Sequence, residues 1–417
     1  MAPDVQAAEV AGYEVRLVPM LTGTPPEFVS PDLGDLLRRA VSPGEWIADG
    51  RFLLFREGLP APEPGTVALG LGPELAARVS SAAAGPFSLA QRPGPGDAEG
   101  QFDRPIGVAA GADGTIYVVD SGNGRVQRFA ADDAGSFLGA WGGPGSELEL
   151  AQPAGGLGPT GIAVGADGLV WVADTWNHRV VGLDPEGQVA VQLGGGEATD
   201  LGDDPVAVAE EPGRFFGPRS VALAGGEVFV ADTGNERVQV FGRDGAFRRA
   251  FGGYGSEPGR LIEPVGLAVG PDGNLYVADS GNARISVFTP AGEPVRQFPV
   301  GAWPAPDPSG ARPAFQPYLA FDEAGRLYAT SSMSGTVEVF APDGTALETL
   351  TVAGGERFEQ PIGVALAPNG ELLVTDYGRN AVLRLPLPPA PLVGVPGAAS
   401  PVAEAPPTSR TVPEPPR

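Results

Sequence analysis

Short apolar runs set the rhythm of this chain. Ile116–Val119, Val170–Ala173, Val228–Ala231 and Leu275–Ala278 each hold four β-branched, aromatic or small apolar residues, and each stops at an aspartate. A polar stretch follows, and Arg-Val or Arg-Ile then opens a second apolar run, as at Arg125-Val126 and Arg284-Ile285. No run carries the 3.6-residue spacing of an amphipathic helix. Short runs punctuated by Gly, Pro and Asp-Gly predict strands joined by tight turns.

The runs belong to a longer phrase. Residues 116–126 return at 170–180, 228–238 and 275–285, with worn copies at 327–337 and 372–382. Asp120, Asp174, Asp232, Asp279 and Asp376 close the apolar runs, and Ser331 takes that place in the fifth copy; the spacings are 54, 58, 47, 52 and 45 residues. Four short strands with their turns need about 40–50 residues, the size of one propeller blade. The fourth copy predicts a whole blade. Its strands fall at 264–269, 275–278, 284–288 and 295–298, with turns at Pro271-Asp272-Gly273-Asn274, 279–282 and Pro290-Ala291-Gly292. Proline presets φ in such turns and glycine accepts positive φ.

The sequence therefore predicts an all-β fold, a six-bladed β-propeller spanning residues 85–387. The sixth copy has three strands and stops at Pro386, Pro388 and Pro389. Phe87–Gln91 resembles the outer strand of the third copy, Phe247–Phe251, so it is expected to complete the last blade and close the ring. Such pairing removes two exposed strand edges. Residues 1–84 do not repeat; they read as an N-terminal extension, with a strand at 14–20, helices at 32–41 and from 73, and a strand pair around Asp49-Gly50. This suits a small α/β cap or the remnant of a preceding domain. Residues 388–417 are rich in Pro and Ala with almost no aromatic residue, the composition of a disordered tail.

Composition narrows the chemistry. The 417 residues include 63 Gly and 46 Pro, as a turn-dense β protein requires. There is no cysteine, which excludes disulfides, thiolate metal sites and thiol nucleophiles. Net charge is −24, and the 27 basic residues are all arginine. An acidic balance of this size repels phosphate backbones and anionic lipid surfaces, so no nucleic-acid partner is expected. No apolar run approaches the ~20 residues of a membrane span, so no direct membrane insertion is expected. No secretory signal is visible at Met1-Ala2-Pro3-Asp4-Val5.

The phrase Asp174-Thr175-Trp176-Asn177-His178-Arg179-Val180, with Asp-(Ser/Thr)-Gly-Asn-x-Arg-Val in sister copies, resembles the NHL repeat, of bacterial type. The resemblance covers about residues 86–387. Copy five departs from it at Ser331, Ser334 and Thr336, and copy six at Arg379-Asn380-Ala381. It implies a propeller that serves one of several ends: an RNA-binding domain, a ubiquitin-ligase component beside a cysteine-rich RING, an extracellular sensor of a bacterial kinase, a zinc lyase, or a more distant calcium-dependent lactonase. The acidic balance, the lack of cysteine and the single histidine disfavour the RNA, RING and zinc readings in turn.

Residues repeated once per blade are expected to build the blade. Asp120, Asp174, Asp232, Asp279 and Asp376 are read as acceptors for N–H groups of the following turn, with Arg125, Arg179, Arg237 and Arg284 five residues later as partners. Binding candidates are the residues that break the pattern. Trp176 replaces a turn glycine. His178 is the only histidine, in a slot that holds Gly124, Glu236 and Ala283 elsewhere. Trp141, Phe216, Trp303 and Tyr318 lie in or beside the long insertions between copies. The acidic run at 197–204 lacks the spacing of a calcium loop. No catalytic residue, metal ligand or cofactor is assigned. The expected function is a monomeric, non-enzymatic binding or scaffold module for a protein, peptide or glycan partner, suited to an extracytoplasmic sensor or assembly domain of a larger bacterial system. The alternative is a calcium-dependent hydrolase, lactonase or lyase acting in the central channel.

Overall fold

A computed structural model describes residues 6–10, 13–17, 46–49, 52–55, 96–130, 135–146, 148–150, 158–195, 211–304, 316–353 and 356–387. Six antiparallel sheets follow one another in chain order, at 105–142, 162–194, 220–252, 264–299, 319–350 and 361–386. Each is a meander in which consecutive strands pair, and together they form a six-bladed propeller.

The fourth blade shows why the phrase folds this way. Its strands are Pro264–Val269, Leu275–Asp279, Arg284–Phe288 and Pro294–Pro299. The second and third are buried along their whole length, and the fourth is mostly exposed. Inner strands lie between neighbouring sheets on both faces, so they read as unbroken apolar runs; outer strands meet solvent, so they alternate. Between blades, the core is a chain of clusters. One joins Phe229, Ala231 and Val238 of blade 3 to Leu267, Leu275 and Phe288 of blade 4.

A second device wedges the outer strands together. An ideal Cβ at Gly187, Gly292 or Gly344 would come within 2.6 Å of Trp141, Phe251 or Phe298 of the preceding blade. The turn glycine before each outer strand thus receives a large side chain from its neighbour. Arg128, Arg249 and Arg296 donate to the carbonyls of Pro185, Pro290 and Pro342 across the same seams, at 3.4, 2.5 and 2.7 Å.

Blade 6 docks on blade 1 and closes the ring. Leu373 and Val382 share a buried cluster with Phe102, Val108 and Phe129. Thr375 Oγ1 donates to Ile106 O at 2.6 Å, and Arg104 N–H donates to Asn380 Oδ1 at 2.7 Å. Among the described residues, blade 6 has three strands and the other five have four. The expected fourth strand at 87–91, the helices at 32–41 and from 73, and the tail after 387 lie outside the described residues. In the N-terminal extension, Gln6–Val10 pairs with Tyr13–Leu17 and Trp46–Asp49 with Phe52–Phe55, the second being the strand pair expected there. No helix among the described residues is long and apolar enough to cross a membrane.

Candidate binding face

The turn between the second and third strands is the most regular part of the ring. In blades 1 to 4 it is one turn of 3₁₀ helix, at Ser121–Asn123, Thr175–Asn177, Thr233–Asn235 and Ser280–Asn282. The aspartate before it is fully buried in each blade. Asp232 accepts from Phe216 N–H at 2.8 Å, Arg237 Nε at 2.8 Å and Gln239 Nε2 at 2.9 Å. Asp120 and Asp279 repeat the pattern with Asp103 N–H and Ile262 N–H, at 2.7 and 2.8 Å. Arg125, Arg179 and Arg284 stand 2.6–2.7 Å from their aspartates. Asp376 instead takes two loop N–H groups, from Glu359 and Gln360, at 2.8 and 3.0 Å, and one from Arg379 in the turn that follows, at 3.2 Å, as expected from the sequence. Sequence reasoning placed the backbone donor in the turn that follows; in blades 1 to 4 the 3₁₀ turns have no side-chain cap, and the N–H seen at Asp120, Asp232 and Asp279 comes from the preceding interblade loop. The aspartate therefore ties that loop to the turn. Burial pushes the Asp120, Asp232 and Asp279 carboxyls above the usual value, against the pull of the Asn, backbone and Arg donors. In blade 5 hydroxyls replace the ion pair: Ser334 Oγ lies 2.7 Å from Ser331 Oγ and 2.8 Å from Thr336 Oγ1.

The slot that ends each turn is left-handed, with φ of 51° at His178, 57° at Glu236, 52° at Ala283 and 52° at Asn380. The sequence marks His178 in this slot as a binding candidate and Gly124, Glu236 and Ala283 as its counterparts in sister turns. The structure gives three occupants of the slot one role. His178 Nδ1 accepts Gly217 N–H at 3.1 Å, a Glu236 carboxylate oxygen accepts Glu263 N–H, and Asn380 Oδ1 accepts Arg104 N–H. Each donor belongs to the next blade and precedes the proline that opens it. Three different side chains thus stitch three seams through one acceptor. The Nδ1 contact requires a neutral imidazole with its proton on Nε2, and burial holds the His178 pKa below its ordinary value, with Asp232 pulling the other way.

Trp176 sits in the slot that is glycine in blades 1, 3, 4 and 6. A Cβ on Gly122, Gly234, Gly281 or Gly378 would lie 2.1–2.9 Å from Asp103, Phe216, Ile262 or Glu359. The preceding loop roofs the turn there. Trp176 is 46 % exposed, and Met333, in the same slot of blade 5, is 66 % exposed. Phe216 is 40 % exposed and stacks on His178 with ring centroids 5.4 Å apart and planes within 10°. His178 and Phe216 thus meet at the seam of blades 2 and 3, and Trp176 stands on the same turn as His178.

The other three aromatic candidates are interior, which corrects the expectation that they offer contact surface. Trp141 is buried in the wedge against Gly187, with Arg128 over its ring at 4.6 Å. Trp303 is buried and donates Nε1–H to Thr330 O at 2.9 Å. Tyr318 reaches across the ring from blade 5, and its hydroxyl donates to Arg219 O of blade 3 at 2.8 Å. Burial pushes its phenol up to about 12, while the Thr160 hydrogen bond and the Arg219 charge pull down.

Tyr318 marks the axis. It follows the proline that opens its blade, and the equivalent residues are Ile106, Thr160, Arg219, Val265 and Ile362. Ile106, Val265, Tyr318 and Ile362 come from blades 1, 4, 5 and 6 and share one buried cluster, as only axial residues can. Sequence reasoning missed this layer, although the residue after the opening proline marks it in every copy. Three aliphatic side chains, a guanidinium and two hydroxyls that donate to Arg219 O offer no carboxylate or imidazole to a channel cation, which wants several oxygen or nitrogen donors. Among the described residues no three His, Asp or Glu side chains come together.

A family model for the NHL repeat matches residues 102–129, 157–183, 215–241, 261–288 and 358–385, the cores of blades 1, 2, 3, 4 and 6. The RING finger protein nhl-1 of Caenorhabditis elegans is 49 % identical over 57 residues, 13 % of this chain and 6 % of that protein. The chain thus spans a small fraction of that relative. Among solved structures, a streptogramin B lyase is 11 % identical over 72 % of this chain and 97 % of its own, with a TM-score of 0.48. A gluconolactonase from Xanthomonas campestris is 19 % identical over 69 % of this chain and 87 % of its own, with a TM-score of 0.49. With its repeats matched in five blades and its six sheets arranged around one axis, this chain is an NHL-repeat six-bladed β-propeller protein.

Proposed function

We propose that the ring is a non-enzymatic binding module, and that its working surface is the face at the seam of blades 2 and 3. The observation that carries this reading is the exposed pair Trp176 and Phe216, 46 % and 40 % exposed on a rigid turn framework. Four sister turns keep glycine beneath a covering loop. A large indole there adds apolar surface to solvent with no benefit to the turn, which is the mark of a contact residue. Loops carried on a rigid scaffold are where binding function concentrates. The partner class that suits exposed aromatic side chains on such a framework is a protein segment or peptide.

The test compares Trp176→Gly/Phe216→Ala with the parent chain. Immobilised parent is expected to retain a partner from a native extract that the variant does not, while the melting temperatures of the two agree within a few degrees. Equal retention by both proteins excludes this face.

A further inference from the structure

We propose that the mouth of the ring above blades 2 and 3 grips a carboxylate of the bound peptide, with Arg219 as its cationic anchor. The inference rests on the binding reading above and names the chemistry of its ligand.

Arg219 is unlike the other arginines around it. Arg125, Arg179, Arg237 and Arg284 are committed to the buried aspartates of the turns. On the opposite side of the blades, Arg243, Arg249, Arg296, Arg326 and Arg384 are held by carboxylates at the turns. Arg219 lies in the axial layer, partly buried, and its guanidinium has no ion pair or hydrogen bond among the described residues. An arginine at a partly buried position whose guanidinium has no acceptor can take one, and a carboxylate fits its planar fork.

Its surroundings tie it to the aromatic pair. Phe216 precedes it by three residues. Thr175, beside Trp176, lies 2.7 Å from Thr160 through their hydroxyls, and Thr160 Oγ1 donates to Arg219 O at 2.9 Å. Tyr318 donates to the same carbonyl from across the axis, so the backbone of Arg219 is held from two sides. A cation three residues along the chain from exposed Phe216, on a backbone held at its carbonyl, suits a chain that presents one carboxylate and apolar neighbours.

The overall charge selects among anions. At a net charge of −24, the field of the protein opposes a polyanion or a phosphate dianion more than a single carboxylate. A peptide that is otherwise neutral or basic gains from the field and still satisfies Arg219.

The experiment uses the full chain and short neutral-to-basic peptides lacking Asp and Glu, each made with a free C-terminal carboxylate and as the amide. Parent, Arg219→Gln, Arg219→Lys and Trp176→Gly proteins are titrated by fluorescence anisotropy, with melting temperatures checked in parallel. The free acids are expected to bind the parent about tenfold more tightly than the amides, the yield of one charge-assisted contact. Arg219→Gln removes the preference, Arg219→Lys restores part of it, and Trp176→Gly weakens both forms equally. If acids and amides bind alike, or if Arg219→Gln keeps the preference, the carboxylate anchor is wrong. Binding that depends on Trp176 but not on Arg219 overturns this inference and leaves the binding face standing. Absence of any peptide binding to the parent overturns both.

Discussion

Blades 2 and 4 carry the same turn and use it differently. In blade 4, Asp279 gathers Ile262 N–H, Arg284 and Ser286, Gly281 lies beneath Ile262, and Ala283 closes the turn. In blade 2, Asp174 holds Asn177 and Arg179 at 2.8 and 2.7 Å, but Trp176 and His178 occupy the two other slots. The framework positions are constant because a buried carboxylate must be matched by donors. The slots between them carry no such demand. One can hold an exposed indole, and the other can hold any side chain whose acceptor reaches the next blade. Variation inside a rigid frame is where this propeller places surface chemistry.

The largest effect should come from breaking the frame. Asp279→Ala leaves Arg284, Asn282 and Ile262 N–H without their shared acceptor, and a loss of about 3–5 kcal/mol is expected, read as a lower urea midpoint. A loss below about 1 kcal/mol would mean that the aspartate is replaceable and that the two blades differ less than argued.

The exchange of slot residues should be unequal in the two blades. Gly281→Ala puts a Cβ 2.3 Å from Ile262 Cγ2, and overpacking of this kind costs about 1–3 kcal/mol. Trp176→Gly in blade 2 should stay within about 0.5 kcal/mol of the parent and affect binding alone. Equal stability changes at the two positions would remove the distinction between a roofed and an open turn.

The smallest effect concerns His178. Burial lowers its pKa, so folding favours the neutral ring. The stability it contributes is fully present above the ordinary value of 6.5 and is lost as pH falls through 6.5 toward the lowered folded value. Protonation at Nδ1 would also set two donors, His178 and Gly217 N–H, against each other. His178→Asn keeps an acceptor, as Asn380 does at the ring closure. The variant should match the parent at pH 8 and lose less stability than the parent between pH 7 and pH 5. Parallel pH profiles for the two proteins would show that the stitch does not titrate.

Particular elements show where sequence reasoning stops. The fourth blade, read as strands at 264–269 and 295–298, folds as Pro264–Val269 and Pro294–Pro299, because turn chemistry and apolar runs are local signals. Trp176 stood out because it broke a repeat, and the structure leaves it exposed. Trp141 and Tyr318 stood out equally and are interior. Gly187 and Arg219, which receive them, lie 46 and 99 residues away in sequence. Nothing local distinguishes an aromatic that faces solvent from one that wedges a neighbouring blade. Arg219 was overlooked for a related reason, since an arginine near a loop looks ordinary until the axis places it among aliphatic side chains.

The chain alone determined the number of blades, the order of their strands and the turn framework, since each depends on residues within about 50 positions of one another. Only the tertiary structure decided which aromatics are surface, which seams are stitched by His178, Glu236 and Asn380, and which six residues meet at the axis. Those outcomes depend on how one blade packs against the next. Packing couples residues that the repeat keeps far apart in sequence, and it settles exposure one side chain at a time.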